Sequence, residues 1–182
     1  MNNEDGGTKL YLIGIPGSGK TTLGRTLAAH FGLPFLDLDA ALVDRAGQPI
    51  PAIFQQHGEA HFRRLEAEVL RAVAARPGPL VLATGGGTPC FHDNLTVLNT
   101  TGLTVWLDVP ETVLAARLAT SAQTNSRPLL AATGPTAAWL HETLRARREF
   151  YERARLRYAA ATEPVSALVA QLRAAGFAPA SR

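Results

Sequence analysis

The sequence predicts an α/β fold, a doubly wound parallel sheet flanked by helices, and three observations carry that expectation. Short apolar runs without polar alternation recur at Leu10-Tyr11-Leu12-Ile13, Leu80-Val81-Leu82-Ala83-Thr84 and Leu103-Thr104-Val105-Trp106-Leu107-Asp108, the pattern of strands buried on both faces. Between them lie stretches whose apolar residues fall three and four positions apart, the period of helices packed on a sheet. The runs end in glycines or a carboxylate, at the strand C-terminal ends where open parallel sheets bind ligands.

In order, residues 1–8 are polar and read as a flexible leader before a single domain over 9–182. The first strand is followed by a glycine loop and a helix over 21–31, with Leu23, Leu27 and Ala28 at helical spacing and Gly32 and Pro34 as its stop. Residues 34–39 read as a short strand with Asp37 and Asp39 at its end on one face, because strand side chains alternate. A brief helix over 40–46 stops at Gly47. Ile53, Phe54, Phe62, Leu65, Val69 and Val73 mark two further helices jointed at Gly58, ended by Arg76-Pro77-Gly78-Pro79. The strand over 80–84 runs into Gly85-Gly86-Gly87, and the strand over 103–108 leads to a helix over 111–118. The polar, small segment at about 119–135 reads as a mobile lid, since loops of that length in compact domains are usually functional or disordered. Thr136 is placed to cap a helix reaching about 156, a last strand is expected over 156–161, and Pro164 and Val165 open a final helix ended by Gly176.

Composition narrows the class. The chain has 182 residues, 46% hydrophobic and 18% charged, the balance of an ordinary globular protein. A net charge of +3 suits an anionic substrate without requiring nucleic acid. Arg145, Arg147, Arg148, Arg153, Arg155 and Arg157 are interleaved with Glu142, Glu149 and Glu152, which describes a solvated, salt-bridged face better than a nucleic-acid patch. Cys90 is the one cysteine, so no internal disulfide forms and a reducing cytoplasm is the expected setting. No secretion signal or membrane-length apolar run is present. His57 and His61 lack a third ligand at helical spacing, which leaves no metal site of their own.

The chemistry is concentrated in Gly14-Ile15-Pro16-Gly17-Ser18-Gly19-Lys20-Thr21, which fits G-x-x-x-x-G-K-[ST] between a strand and a helix. Without Cβ atoms in the way, backbone N–H groups of Gly17, Ser18, Gly19 and the helix start through Thr22 can turn onto phosphate oxygens. Lys20, one of the chain's two lysines beside Lys9, would reach the β- and γ-phosphates, and the Thr21 hydroxyl would help hold Mg²⁺. There is no N-K-x-D stretch to read guanine. A phosphate loop alone leaves kinases, other nucleoside triphosphatases and nucleotide-gated binding modules open.

The remaining motifs make the sequence resemble the shikimate kinases. They are residues 14–22, Leu36-Asp37-Leu38-Asp39, Ile53-Phe54 with Gly58-Glu59, Phe62-Arg63 and Glu66, Thr84-Gly85-Gly86-Gly87, Val105-Trp106-Leu107-Asp108, Arg127-Pro128-Leu129-Leu130, and Arg147 with Tyr151. They keep the family's order over about 9–160.

The resemblance implies a P-loop fold like that of nucleoside monophosphate kinases, with a mobile lid. It implies transfer of the γ-phosphoryl of ATP to the 3-hydroxyl of shikimate, with Mg²⁺, in aromatic amino-acid biosynthesis. The partners expected are ATP and shikimate, with no nucleic acid or membrane, and the chain is expected to be a monomer. By the same resemblance Lys20, Asp39 and Arg127 are catalytic. Asp39 holds the ring hydroxyls, and Asp37 lies on the metal side through water. Arg63 and Arg147 grip the substrate carboxylate, a task for which planar guanidinium suits better than lysine. Gly85, Gly86 and Gly87 let backbone approach the substrate, Phe54 and Phe62 wall its pocket, and Arg117 packs on adenine.

Several of these residues also have plainer readings. Arg63 stands four after Glu59 and three before Glu66, spacing that equally describes a salt-bridged helix surface. Phe54 and Phe62 equally describe core, and Cys90 reads as a small buried hydrophobe. Another small-molecule kinase of the same architecture, acting on gluconate or a nucleoside monophosphate, is the nearest alternative.

Overall fold

The computed structural model describes residues 9–120 and 137–177. The expected leader over 1–8, most of the lid, Arg127 and the cap at Thr136 lie outside the described residues. The elements run β1 (Lys9–Ile13), α1 (Lys20–Phe31), β2 (Phe35–Asp37), α2 (Leu38–Ala46), α3 (Ile50–Ala74), β3 (Val81–Ala83), a 3₁₀ turn (Thr88–Cys90) and α4 (Asn94–Thr101). There follow β4 (Gly102–Asp108), α5 (Glu111–Thr120), α6 (Ala137–Tyr151), β5 (Leu156–Ala159) and α7 (Val165–Ala174).

Among the described residues the strands form one parallel sheet in the order β2-β3-β1-β4-β5. β1 sits at its centre, paired with β3 through Leu12 opposite Ala83 and with β4 through Ile13 opposite Trp106. The chain leaves β1 toward β2 and later crosses to β4 on the other side. The loop after β1 therefore opens at the point where the winding reverses, the usual place for a crevice.

Alternation on the central strands feeds two cores. Tyr11, Ile13 and Trp106 point into one with Leu38, Leu42, Ile53, Phe62, Leu70 and Tyr151. Leu10, Leu12, Val105 and Leu107 point into the other with Leu27, Leu168, Leu172 and Phe177. A strand with helices on both faces has no solvent side, which is why β1 is buried at every position.

Four readings change, the plainest being that the helix expected to reach about 156 ends at Tyr151. Asp39 lies in the first turn of α2 and is not on a strand; β2 ends at Asp37, whose Oδ1 accepts the Asp39 N–H at 3.0 Å as the helix N-cap. Shared strand face is thus not what relates the two carboxylates; helix capping is. α4 is an element the sequence reading lacks. Its Asn, Thr and Val content gives little helical signal, and it is anchored by fully buried Asn94, whose Nδ2 donates to Thr88 O at 3.0 Å. The last strand is shorter than expected, ending at Ala159. The joint at Gly58 is present as a kink within α3, at φ 75 and ψ 172. No described helix is long and apolar enough to cross a membrane.

Gly58 occupies a region of backbone space that only glycine enters readily, and a Cβ there would meet nothing within 4 Å. Conformation alone therefore sets the effect of a substitution. Gly58→Ala is expected to lower unfolding free energy by about 1–3 kcal/mol in urea titrations. Gly47→Ala, at φ 67 and ψ 14 with equally open space, should cost only about 1 kcal/mol. Equal losses would contradict this account of the kink.

Candidate active site

The loop after β1 is held from within by Lys20, 5% exposed, whose Nζ donates to Gly14 O at 2.8 Å and Ile15 O at 2.9 Å. Its ammonium thus rests on the loop's own carbonyls. Gly19 caps α1 without a side-chain hydrogen bond, so the first-turn N–H groups face the crevice as an anion site. Arg117 on α5 reaches the same loop, donating to Ser18 O at 3.3 Å. Thr21 Oγ1 donates to Asp37 Oδ2 at 2.8 Å. Asp37 therefore joins the starts of α1 and α2 by using both its oxygens.

These groups line a cleft of about 460 Å³ bounded by residues 17–23, Asp37, Asp39, Thr84, Arg117, Tyr158, Ala160 and Val165. The structure brings together here the expected phosphate ligands Gly17, Ser18, Gly19, Lys20, Thr21 and Thr22, both aspartates and Arg117. Tyr158, Ala160 and Val165, at and after the end of β5, are cleft residues the sequence reading missed. The rule that ligands sit beyond strand C-terminal ends would have found them.

A second cluster adjoins the first through the triple glycine. A Cβ on Gly86 would stand 2.8 Å from Pro16 Cγ and closer still to its Cδ, so the turn after β3 packs directly on the phosphate loop. A Cβ on Gly85 would meet Glu66 Oε1 at 2.9 Å and Asp39 Oδ1 at 3.1 Å. Gly87 lies against the Arg63 guanidinium in the same way, with its Cβ position 2.8 Å from both Nη atoms. The Tyr151 hydroxyl donates to Gly86 O at 2.6 Å, and the Tyr151 ring stacks on Trp106 at 6.1 Å.

Arg63 makes both ion pairs its spacing allows, to Glu59 and Glu66, yet it is buried. Its side chain is 6% exposed and Glu66 1%, so a solvated helix surface is the wrong description. Nη1 donates to Glu66 Oε2 at 2.9 Å, and Thr88 Oγ1 donates to Glu66 Oε1 at 2.6 Å. Burial pushes the Glu66 carboxyl above its ordinary range, while Arg63 and Thr88 pull it back. Glu66 and Thr88 are thus site residues whose role spacing alone did not give.

Phe91 lies under the guanidinium at 4.3 Å. Phe62 is core and contacts Arg63 at 5.1 Å, and Phe54 is half-buried against Phe62. Arg147, half-buried on α6, stands near the Cys90 thiol and the Tyr151 hydroxyl, and Arg63 acts on both from its own side. The two arginines therefore converge on one region. The imidazoles of His57 and His61 lie 4.7 Å apart, tilted by 42°, across the Gly58 kink. No group of three or more His, Cys, Asp or Glu side chains among the described residues could hold a metal.

The family described as shikimate kinase matches residues 16–175. A shikimate kinase of Parasynechococcus marenigrum (strain WH8102) is 46% identical over 151 residues, covering 83% of this chain and 76% of its own. The crystal structure of shikimate kinase from Bacteroides thetaiotaomicron superposes with a TM-score of 0.81 at 35% identity, covering 93% of this chain and 98% of that one. Shikimate kinase from Acinetobacter baumannii in complex with shikimate gives 0.82 at 32% identity, covering 93% and 94%.

Burial pushes the half-buried Cys90 thiol up to about 11, against a smaller opposing pull from Arg147. The neutral thiol is the form the fold favours. Its contribution to stability is whole below the unfolded thiol's pKa of about 8.5 and is lost as pH climbs through about 11. Alkylation of the native protein at pH 8 is expected to run at least about tenfold slower than in the unfolded chain. Its rate should keep rising toward pH 11. Labelling at the unfolded rate, levelling near pH 9, would contradict the assignment.

Proposed function

The chain belongs to the shikimate kinase family, and from that premise we propose how its residues divide the transfer of the γ-phosphoryl group of ATP to the 3-hydroxyl of shikimate, a step toward the aromatic amino acids. The observation that carries the assignment is the packing of Gly86 on Pro16 with Asp39 and Glu66 against Gly85, which sets a carboxylate-lined acceptor region beside the phosphate loop.

The triphosphate lies along the loop N–H groups of Gly17, Ser18 and Gly19 and the start of α1 at Thr21 and Thr22. Lys20 trades its loop carbonyls for β- and γ-phosphate oxygens. Thr21 and Asp37 present a hydroxyl and a carboxylate 2.8 Å apart, hard oxygens of the kind Mg²⁺ prefers, and would hold it, Asp37 through water. When bound, that ion supplies neutralisation of charge spread over the β- and γ-phosphates. Arg117 and the residues after β5 face the adenine end.

Shikimate lies with its carboxylate toward Arg63 and Arg147 and its hydroxyls toward Asp39. Gly86 donates its N–H, Gly85 and Gly87 leave room, and Phe54 and Phe62 form the wall. The 3-hydroxyl oxygen attacks the γ-phosphorus while Asp39 orients it and takes its proton. The bond from that phosphorus to the bridging oxygen of the β-phosphate breaks, and ADP leaves. Arg127, from the segment outside the described residues, covers the transferring group and excludes water. A monomer in a reducing cytoplasm, which the lone thiol suits, completes the reading.

Asp39→Asn is expected to lower kcat by about 10²–10⁴-fold, the range of general acid–base contributions. Its affinity for ATP should stay within about threefold of the parent in equilibrium titrations. An unchanged kcat would remove Asp39 from the chemistry. Arg147→Ala should raise the KM for shikimate by about tenfold or more while sparing that for ATP, since hydrogen bonds to charged groups are worth about 1.5–3 kcal/mol. Arg63→Lys keeps the charge beside buried Glu66 and should raise the same KM by losing the planar fork. Unaltered shikimate kinetics in both variants would overturn the carboxylate clamp.

A further inference from the structure

We propose that Glu59 is a stand-in for the substrate carboxylate: it holds a two-pronged edge of the Arg63 guanidinium and is displaced when shikimate binds. The inference rests on the reading of Arg63 as part of the carboxylate clamp. A guanidinium offers parallel N–H groups along two edges, one formed by Nε with an Nη and one by the two Nη atoms. Glu59 Oε1 receives both Nε, at 3.2 Å, and Nη2, at 3.1 Å, while Glu66 Oε2 takes Nη1 at 2.9 Å. Every nitrogen that a carboxylate could chelate is already engaged by one of the chain's own.

The two holders are unequal. Glu66 is 1% exposed and is held from its other oxygen by Thr88 at 2.6 Å, so removing it would strand a charge in the interior. Glu59 is 46% exposed and uses one oxygen at distances long for a charge-assisted bond. Its side chain can turn from Arg63 to water by a rotamer change that leaves the helix backbone untouched. Phe91, at 4.3 Å, and Phe62, at 5.1 Å, flank the guanidinium, and Gly87 stands against its two Nη atoms. An incoming carboxylate therefore gains Arg63 most cheaply along the edge Glu59 holds. Until then the same contact keeps a nearly buried guanidinium paired and aimed. Glu59 is thus a positioning residue that also competes with the substrate for the fork.

The test measures equilibrium binding of shikimate, of its methyl ester and of ATP to the full chain and to Glu59→Gln. The neutral amide keeps the shape and removes the competing charge. Shikimate is expected to bind about two- to fivefold tighter to the variant, the yield of an exposed ion pair, with the ester and ATP unchanged. Weaker or unaltered shikimate binding would overturn the proposal and make Glu59 a structural support only. Tighter binding of acid and ester alike would also overturn it, since relief of competition acts on the carboxylate alone. If the ester binds the parent protein as tightly as the acid, the clamp reading itself fails, and the Glu59 proposal with it.

Discussion

Pro16 rests on Gly86 with no room for a methyl group between them, and the rest of the site depends on that contact. The two residues belong to the loops after β1 and β3, neighbouring strands whose register is fixed along Leu10 to Leu12. Neither loop can shift alone without opening a gap or a clash. The position of a nucleotide's terminal phosphate is therefore tied to the turn that carries Gly85 and, beside it, Asp39 and Glu66. Transfer of a phosphoryl group asks chiefly for alignment and for charge stabilisation. A proline ring packed on a glycine backbone is a stiff way to supply the first. Asp37 adds a second tie by capping α2 while accepting the Thr21 hydroxyl.

The charge stabilisation is arranged with little water. Lys20 and Arg63 are both nearly buried, and each spends its donors on oxygens of the chain itself. Removing one partner of such a pair costs several kcal/mol, whereas a well-packed apolar replacement is often neutral. These groups are thus not there for stability. Glu66 illustrates the tension: burial pushes its carboxyl up, and the Arg63 and Thr88 contacts pull it part of the way back. The outcome is a guanidinium kept in one orientation between two aromatic rings and two carboxylates.

Much of this was legible in the sequence because it follows from local rules. The phosphate loop, the buried central strands and the joint at Gly58 each have a residue pattern with a direct physical cause. Asp37 and Asp39 both read as site residues, and only Asp39 was placed on the wrong element, a strand in place of the first turn of α2. β2 is only Phe35–Asp37, too short for alternation to be read, and an aspartate before an apolar period is also a helix cap. α4 was illegible since Asn94–Thr101 has poor helix formers and is held by tertiary contacts such as Arg71 Nη1 to Asn94 Oδ1 at 3.2 Å. The burial of Arg63 was equally hidden, because the same spacing to Glu59 and Glu66 occurs on exposed helices. What covers it, Phe91 and Gly87, comes from a distant turn.

The central claim is that the phosphate loop and the acceptor region form one site for one hydroxylated acid. Its most direct test is ADP formation from ATP and Mg²⁺ by the unmodified protein, with shikimate, gluconate, AMP and CMP offered in turn. The account predicts ADP in step with shikimate consumption and none above background with the other three. ADP formed with gluconate or a nucleoside monophosphate and not with shikimate would contradict it.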